Sequence, residues 1–193
     1  SVFAQALMEA LVFSGLAMQL CGCSRPASGA EHHISHFIEM KTLSEGYVPE
    51  YHGRVVGVSS CMVAEYYGKL AGIPQVTACR NRFDPDAVSA AFGDLWEGAK
   101  KENTPDPLSA VSPETVVEKW QEIRSVLKTV PGADEIRKLL KASGGVTDFP
   151  SLNLPDGVAE TAVKYGKYTR SRLTMLRFSD FLDVPECILE NEE

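Results

Sequence analysis

Two prolines, each directly after a helix-capping residue, fix where helices begin in the middle of this chain. Asp84-Pro85 and Ser112-Pro113 each place a capping side chain before a proline at the first helical position, where its missing N–H is tolerated. They predict helices near Asp86–Trp96 and Glu114–Thr129. No segment alternates strictly between apolar and polar residues, so strands should be few. The chain is therefore predicted to be all-α.

The other predicted helices follow from composition and from helix-stop residues. Ser28 and Glu31 match a capping box, which satisfies free backbone donors at a helix start. Gly53, Gly57 and Gly68 are weak points within one helix that permit close packing. The remaining segments predicted to be helical are Val2–Leu20, Gly29–Lys41, Tyr51–Ala71, Asp134–Ala142 and Asp156–Leu176, with a last turn at Phe178–Leu182, a polar loop at Gly98–Ser109 and a frayed acidic tail at Glu190–Glu193.

The apolar opening Val2–Leu20 is long enough to resemble a membrane span or a signal sequence. It carries Gln5, Glu9 and Gln19 and lacks a basic lead-in, so we predict a buried helix instead. A chain that opens directly in such a helix, with no polar lead-in, looks like the middle of a larger protein. We therefore expect a fragment.

Length and charge place the chain among ordinary globular domains. Its 193 residues, 44% hydrophobic and 23% charged, predict one core over residues 1–193. The net charge of −7 has the wrong sign for a nonspecific nucleic-acid or anionic-membrane binder, so neither partner is expected. The five cysteines are odd in number and contain no CxxC pair, which argues against a disulfide framework or a cysteine zinc site. A reducing, cytoplasmic compartment fits best.

All four histidines, His32, His33, His36 and His52, lie in one short stretch. On a helix, His32 and His36 share a face, while His33 is rotated aside. An antiparallel helix pair could bring His52 opposite His32. A solvated polar face is the alternative for this spacing. The HExxH hydrolase pattern is excluded because His33 occupies the position of its Glu.

Glu39 lies one turn beyond His36 on the same predicted face. It could orient His36 as a supporting carboxylate, but an exposed helix Glu is the expected reading.

A longer motif surrounds these histidines. The run SRPASGAEHHISH at 24–36, followed by Tyr51-His52-Gly53, resembles sn-glycerol-1-phosphate dehydrogenases, especially their bacterial branch. These belong to the superfamily of dehydroquinate synthases, glycerol dehydrogenases and iron-containing alcohol dehydrogenases. Arg170–Thr174 resembles the family more weakly. The resemblance covers nearly the whole chain and implies the helical, bundle-like C-terminal domain of a two-domain enzyme.

The resemblance also implies the chemistry. A divalent ion, zinc or nickel, would be held by His32, His52 and an Asp from an N-terminal α/β domain that binds NAD(P) and is absent from residues 1–193. His36 resembles the family histidine placed for proton transfer. The reaction implied is the interconversion of sn-glycerol 1-phosphate and dihydroxyacetone phosphate, with the isolated chain expected to be inactive. A homodimer, or a partner chain that supplies the nucleotide-binding domain, is the implied assembly.

The substrate phosphate needs a cationic site, and Arg25 lies just before a helix start whose backbone donors at Gly29 and Ala30 favour anions. Arg25 is therefore the predicted phosphate anchor. The alternative is an arginine that packs the loop or pairs with Glu31. Arg170 and Arg172 are weaker candidates, expected on the solvated face of a late helix.

Two other functions stay open at this point. A dehydroquinate synthase-like lyase domain shares the paired histidines, although the SRPASGAEH run favours the dehydrogenase. A non-catalytic truncated paralogue or assembly module would explain the missing cofactor domain.

Overall fold

The computed structural model describes residues 2–184, and these residues form helices joined by loops and 3-10 turns. The helices are α1 Val2–Cys21, α2 Ala30–Ser44, α3 His52–Gly72, α4 Pro85–Phe92, α5 Trp96–Glu102, α6 Pro113–Glu118, α7 Trp120–Leu127, α8 Ala133–Ala142, α9 Val158–Tyr165 and α10 Met175–Phe178. Among the described residues the only β pairing is an isolated bridge between Ala78 and Leu182. The all-α prediction is confirmed. The acidic tail at 190–193 lies outside the described residues.

α2 and α3 form the centre of the fold. Their contacts run in opposite directions along the two helices, because His52 of α3 meets Glu39 of α2 while Ser59, two turns later, meets Ser35. The pair is therefore antiparallel, as predicted. α2 also packs against α9, and α3 against α7 and α8. The buried side chains of α2 include Ile34 and Phe37, so one face of this helix is core.

The capping signals located two helix starts correctly. The Asp84 carboxylate accepts hydrogen bonds from the N–H groups of Asp86 and Ala87, and α4 begins at Pro85. The Ser112 hydroxyl accepts from the N–H of Thr115 at the start of α6. The helix predicted over Glu114–Thr129 is interrupted at Lys119, where α6 ends and α7 begins.

Two predicted boundaries are wrong. The helix expected over Asp156–Leu176 ends at Tyr165, a 3-10 turn follows at Gly166–Tyr168, and the chain then runs as a loop to α10. The polar loop expected at Gly98–Ser109 instead contains most of α5 and much of a 3-10 turn. The first break coincides with a close approach of the Gly166 backbone to α2, a tertiary contact that local composition does not encode.

The prediction of a buried first helix is also wrong. No residue of α1 is buried, and Phe3 and Phe13 are 75% and 68% exposed. Among the described residues α1 is the one helix whose length and composition would allow it to cross a membrane. The apolar sequence predicts that the side chains of this helix are buried against another surface, but it does not predict which surface that is.

We expect Gly166→Ala to destabilise the fold by roughly 1–3 kcal/mol, because an added methyl group overpacks a tight contact. A Cβ at Gly166 would lie 3.0 Å from Ile34 Cα, which is backbone and cannot rotate away. Gly68→Ala is the matched control, since a Cβ at this exposed position of α3 meets nothing within 4 Å. That change should stabilise by about 0.5–1 kcal/mol. Urea unfolding measures both, and equal effects would contradict the close approach.

Candidate metal centre

The first turn of α2 shapes one side of the site. Gly29, not Ser28, caps the helix, and the predicted capping box between Ser28 and Glu31 does not form. Glu31 Oε1 accepts a hydrogen bond from Gly29 N–H at 2.8 Å and lies 2.7 Å from His32 Nδ1. A Cβ at Gly29 would lie 2.7 Å from Glu31 Oε2, so glycine gives this carboxylate room to fold back.

Glu31 is ionised in this position. Burial raises its pKa, but hydrogen bonds from His32 and from the Gly29 backbone outweigh burial, and the net pKa lies below the ordinary value. The negatively charged Glu31 carboxylate therefore lies at the start of α2, directly beside the His32 ring.

Three imidazole rings meet where α2 and α3 pack together. His32 and His36 lie one turn apart on α2, and His52 is the first residue of α3. The ring centroids of His32 and His52 are 5.4 Å apart, those of His36 and His52 are 5.4 Å apart, and those of His32 and His36 are 5.9 Å apart. The structure thus brings together the three histidines singled out in the sequence. Their individual roles stay predictions.

Glu39 joins two of these rings, and the expectation that it is simply exposed is wrong. Its Oε1 lies 2.5 Å from His52 Nδ1 and its Oε2 lies 3.2 Å from His36 Nδ1. Only 22% of its side chain is exposed. The spacing placed Glu39 near His36, but the contact with His52 needed the packing of α3.

The donor set fits a divalent metal ion. One ligand atom from each of His36, Glu39 and His52 lies within 4.8 Å of the others, and imidazole with carboxylate is a common zinc-binding set. A neutral imidazole that donates from Nδ1 to a carboxylate keeps its lone pair on Nε2 for a metal. Glu31 and Glu39 therefore suit either role, that of orienting the rings or that of supplying a ligand oxygen.

His33 lies outside the site. Its side chain is fully buried, and neither ring nitrogen has a hydrogen-bond partner among the described residues. Burial, assisted by the nearby positive charge of Arg172, lowers the pKa of His33 to about 4. A neutral ring packed in the core agrees with its predicted position away from His32 and His36.

Arg25 is exposed, in the 3-10 turn Arg25–Ala27 before α2. One of the two backbone donors that were expected to favour an anion, Gly29 N–H, is already taken by the Glu31 carboxylate. The role of Arg25 as a phosphate anchor stays a prediction.

Arg172 has a different place from the one predicted. It lies on the loop after Gly166–Tyr168, not on a helix face. Its guanidinium donates to the Ser28 carbonyl and to the Ser24 hydroxyl, both at 2.9 Å. It therefore fixes the segment that carries Arg25. The resemblance at Arg170–Thr174 is the only sequence signal for this contact. The neighbouring Arg170 is exposed.

The chain is similar to curated proteins named glycerol-1-phosphate dehydrogenase, NAD(P)+. The relative from Bacillus velezensis is 42% identical over 172 residues, which are 89% of this chain and 34% of the relative. The relatives from Bacillus licheniformis and Geobacillus thermodenitrificans are each 30% identical, over 89% and 95% of this chain and 33% and 39% of their own lengths. The chain thus spans about a third of the curated relatives it matches. No protein-family model and no solved structure matches it.

We expect Glu39→Gln to weaken Zn²⁺ binding to this chain by about 10- to 100-fold, the usual effect of removing a carboxylate that supports metal-binding histidines. The amide has no charge and cannot accept from both rings as the carboxylate does. Isothermal titration calorimetry measures the affinity. Glu45→Gln is the control, because Glu45 follows the same helix but pairs with Lys41. An equal loss in both variants would contradict a specific role for Glu39.

Proposed function

Because the chain is related to the glycerol-1-phosphate dehydrogenases over about nine tenths of its own length, we propose that it is the metal-binding part of such an enzyme. The observation that carries the proposal is the meeting of His32, His36 and His52 beside two carboxylates. The named activity of the relatives favours a dehydrogenase over a dehydroquinate synthase-like lyase. The proposed substrate pair is sn-glycerol 1-phosphate and dihydroxyacetone phosphate.

His32 and His52 are the proposed metal ligands from this chain. The ion, zinc or nickel, would supply Lewis-acid polarisation of the substrate oxygen. Glu31 orients the His32 ring through Nδ1, and Glu39 does the same for His52, so that each ring keeps Nε2 available. These contacts fix the direction of both rings before anything binds, which lowers the cost of assembling the site.

His36 is the proposed proton-transfer residue. Its ring stacks on that of His52, with a centroid separation of 5.4 Å and an interplanar angle of 21°. Glu39 Oε2 lies 3.2 Å from its Nδ1, which leaves Nε2 to exchange a proton with the substrate hydroxyl. The Glu39 carboxylate therefore orients both the proposed metal ligand His52 and the proposed acid/base group His36.

The remaining parts of the enzyme are proposed to lie outside residues 1–193. The chain spans about a third of its relatives, whose name includes NAD(P)+. A nucleotide-binding domain there would bind the cofactor and add the third protein ligand, so residues 1–193 alone would be inactive. Assembly as a homodimer, or with a separate nucleotide-binding chain, belongs to the same proposal. The proposed location is the cytoplasm, where free thiols such as Cys79 stay reduced.

A chimera tests this function directly. The chain replaces the matching region of the Bacillus velezensis relative, and NADH-dependent reduction of dihydroxyacetone phosphate is measured for the chimera and for residues 1–193 alone. We expect turnover only in the chimera, because the isolated chain lacks a nucleotide site. Turnover by the isolated chain would contradict the proposal that the nucleotide-binding site lies outside residues 1–193. A folded, metal-loaded chimera without activity would contradict the proposed function.

Single histidine changes in the chimera separate ligands from the acid/base group. His32→Ala and His52→Ala should remove the bound metal, because each leaves fewer protein ligands than catalytic zinc sites use. His36→Ala should retain the metal and lose about 10²–10⁴-fold in kcat, the usual contribution of general acid/base catalysis. Metal content is measured by mass spectrometry of the purified protein. Loss of metal from His36→Ala would make His36 a ligand.

Arg25→Ala in the chimera tests phosphate recognition. We expect KM to rise more for glycerol 1-phosphate than for glycerol, since a guanidinium binds phosphate by charge-assisted hydrogen bonds. Arg80→Ala is the control, because Arg80 is an exposed arginine of the loop after α3. An equal change in KM for both substrates would remove Arg25 from the site.

A further inference from the structure

Two cysteine thiols lie side by side where α1 ends. Cys21 is the last residue of α1, and Cys23 follows after one glycine. Their Sγ atoms are 3.3 Å apart. Gly22 between them has φ = +67°, a left-handed conformation that favours glycine and turns both side chains to the same side.

Both thiols are accessible, and their pKa values are shifted in opposite directions. Cys21 is exposed and Cys23 is half-buried, whereas Cys61 is buried in α3. A hydrogen bond from the Arg25 backbone and a second from the Cys21 thiol lower the pKa of Cys23, while the same thiol contact raises the pKa of Cys21. Cys23 is therefore the better source of thiolate, the form that attacks disulfides.

We propose that Cys21 and Cys23 are a reversible redox pair, oxidised to an intramolecular disulfide by low-molecular-weight disulfides such as glutathione disulfide. The geometry carries this inference, because two accessible thiols already in contact need little rearrangement. Their Sγ separation must fall from 3.3 Å to the bonding distance of about 2.05 Å. The inference does not depend on the proposed dehydrogenase function.

The exchange proceeds in two balanced steps. The Cys23 thiolate attacks one sulfur of glutathione disulfide, which breaks that S–S bond and releases one glutathione thiolate that takes up a proton. Cys21 then loses its proton and attacks Cys23 Sγ in the mixed disulfide, which forms the Cys21–Cys23 bond and expels the second glutathione. Two protein thiols are oxidised, and one glutathione disulfide is reduced to two thiols.

The location links this pair to the candidate metal centre. Cys23 is followed directly by Ser24, whose hydroxyl accepts a hydrogen bond from Arg172, and then by Arg25. A disulfide at 21–23 would restrain the start of this segment. The chemistry itself can be tested on the chain without any enzyme assay.

The test incubates the reduced chain with glutathione disulfide and maps its thiols by mass spectrometry after alkylation. We expect the peptide that carries Cys21 and Cys23 to lose two hydrogen atoms and resist alkylation, with full recovery after dithiothreitol. Cys79→Ser is the matched control and should oxidise at 21–23 as the unchanged chain does. Cys21→Ser should stop at a glutathione adduct on Cys23, because the resolving thiol is missing.

Three results would overturn the proposal. These are alkylation of both thiols after glutathione disulfide treatment, a persistent glutathione adduct on the unchanged chain, or a disulfide between two chains in place of the internal one. Intact-mass measurement without reductant separates the internal bond from the intermolecular one. Circular dichroism of both serine variants confirms that they remain folded.

Discussion

The close antiparallel packing of α2 on α3 is the contact on which the rest of the structure depends. Ser35 and Ser59 are fully buried, with their Oγ atoms 3.2 Å apart, so small polar side chains separate the two helices there. Larger residues at these positions would push the helices apart. Two turns before Ser59, the same packing brings the His52 ring into contact with the Glu39 carboxylate of α2.

α2 also packs closely against the segment after α9. Gly166 approaches Ile34 so closely that a Cβ would contact the α2 backbone at 3.0 Å. At this contact the structure has a 3-10 turn and a loop in place of the helix predicted across that region. The loop then carries Arg172 to the carbonyl of Ser28, just before α2 begins. Tertiary packing here overrides the local helical preference.

The sequence predicted those parts of the fold and site that depend on neighbours along the chain. Helix starts at Asp84 and Ser112 depend on a capping side chain and a proline, and both are local signals. The shared face of His32 and His36 follows from helical periodicity. The second contact of Glu39 and the position of Arg172 depend on how separate segments pack together. The exposure of α1 does not follow from its apolar composition either. No pattern within one segment encodes them.

The charge at the start of α2 disfavours the binding of a second anion there. An ionised carboxylate at Glu31 already uses Gly29 N–H and the favourable end of the α2 dipole. A phosphate placed there would meet a like charge, so the dipole cannot hold both anions. The Glu31 carboxylate instead lies beside His32, and Glu39 places a second carboxylate beside His36 and His52. The carboxylates at the start of α2 therefore favour a cation over a phosphate at this position.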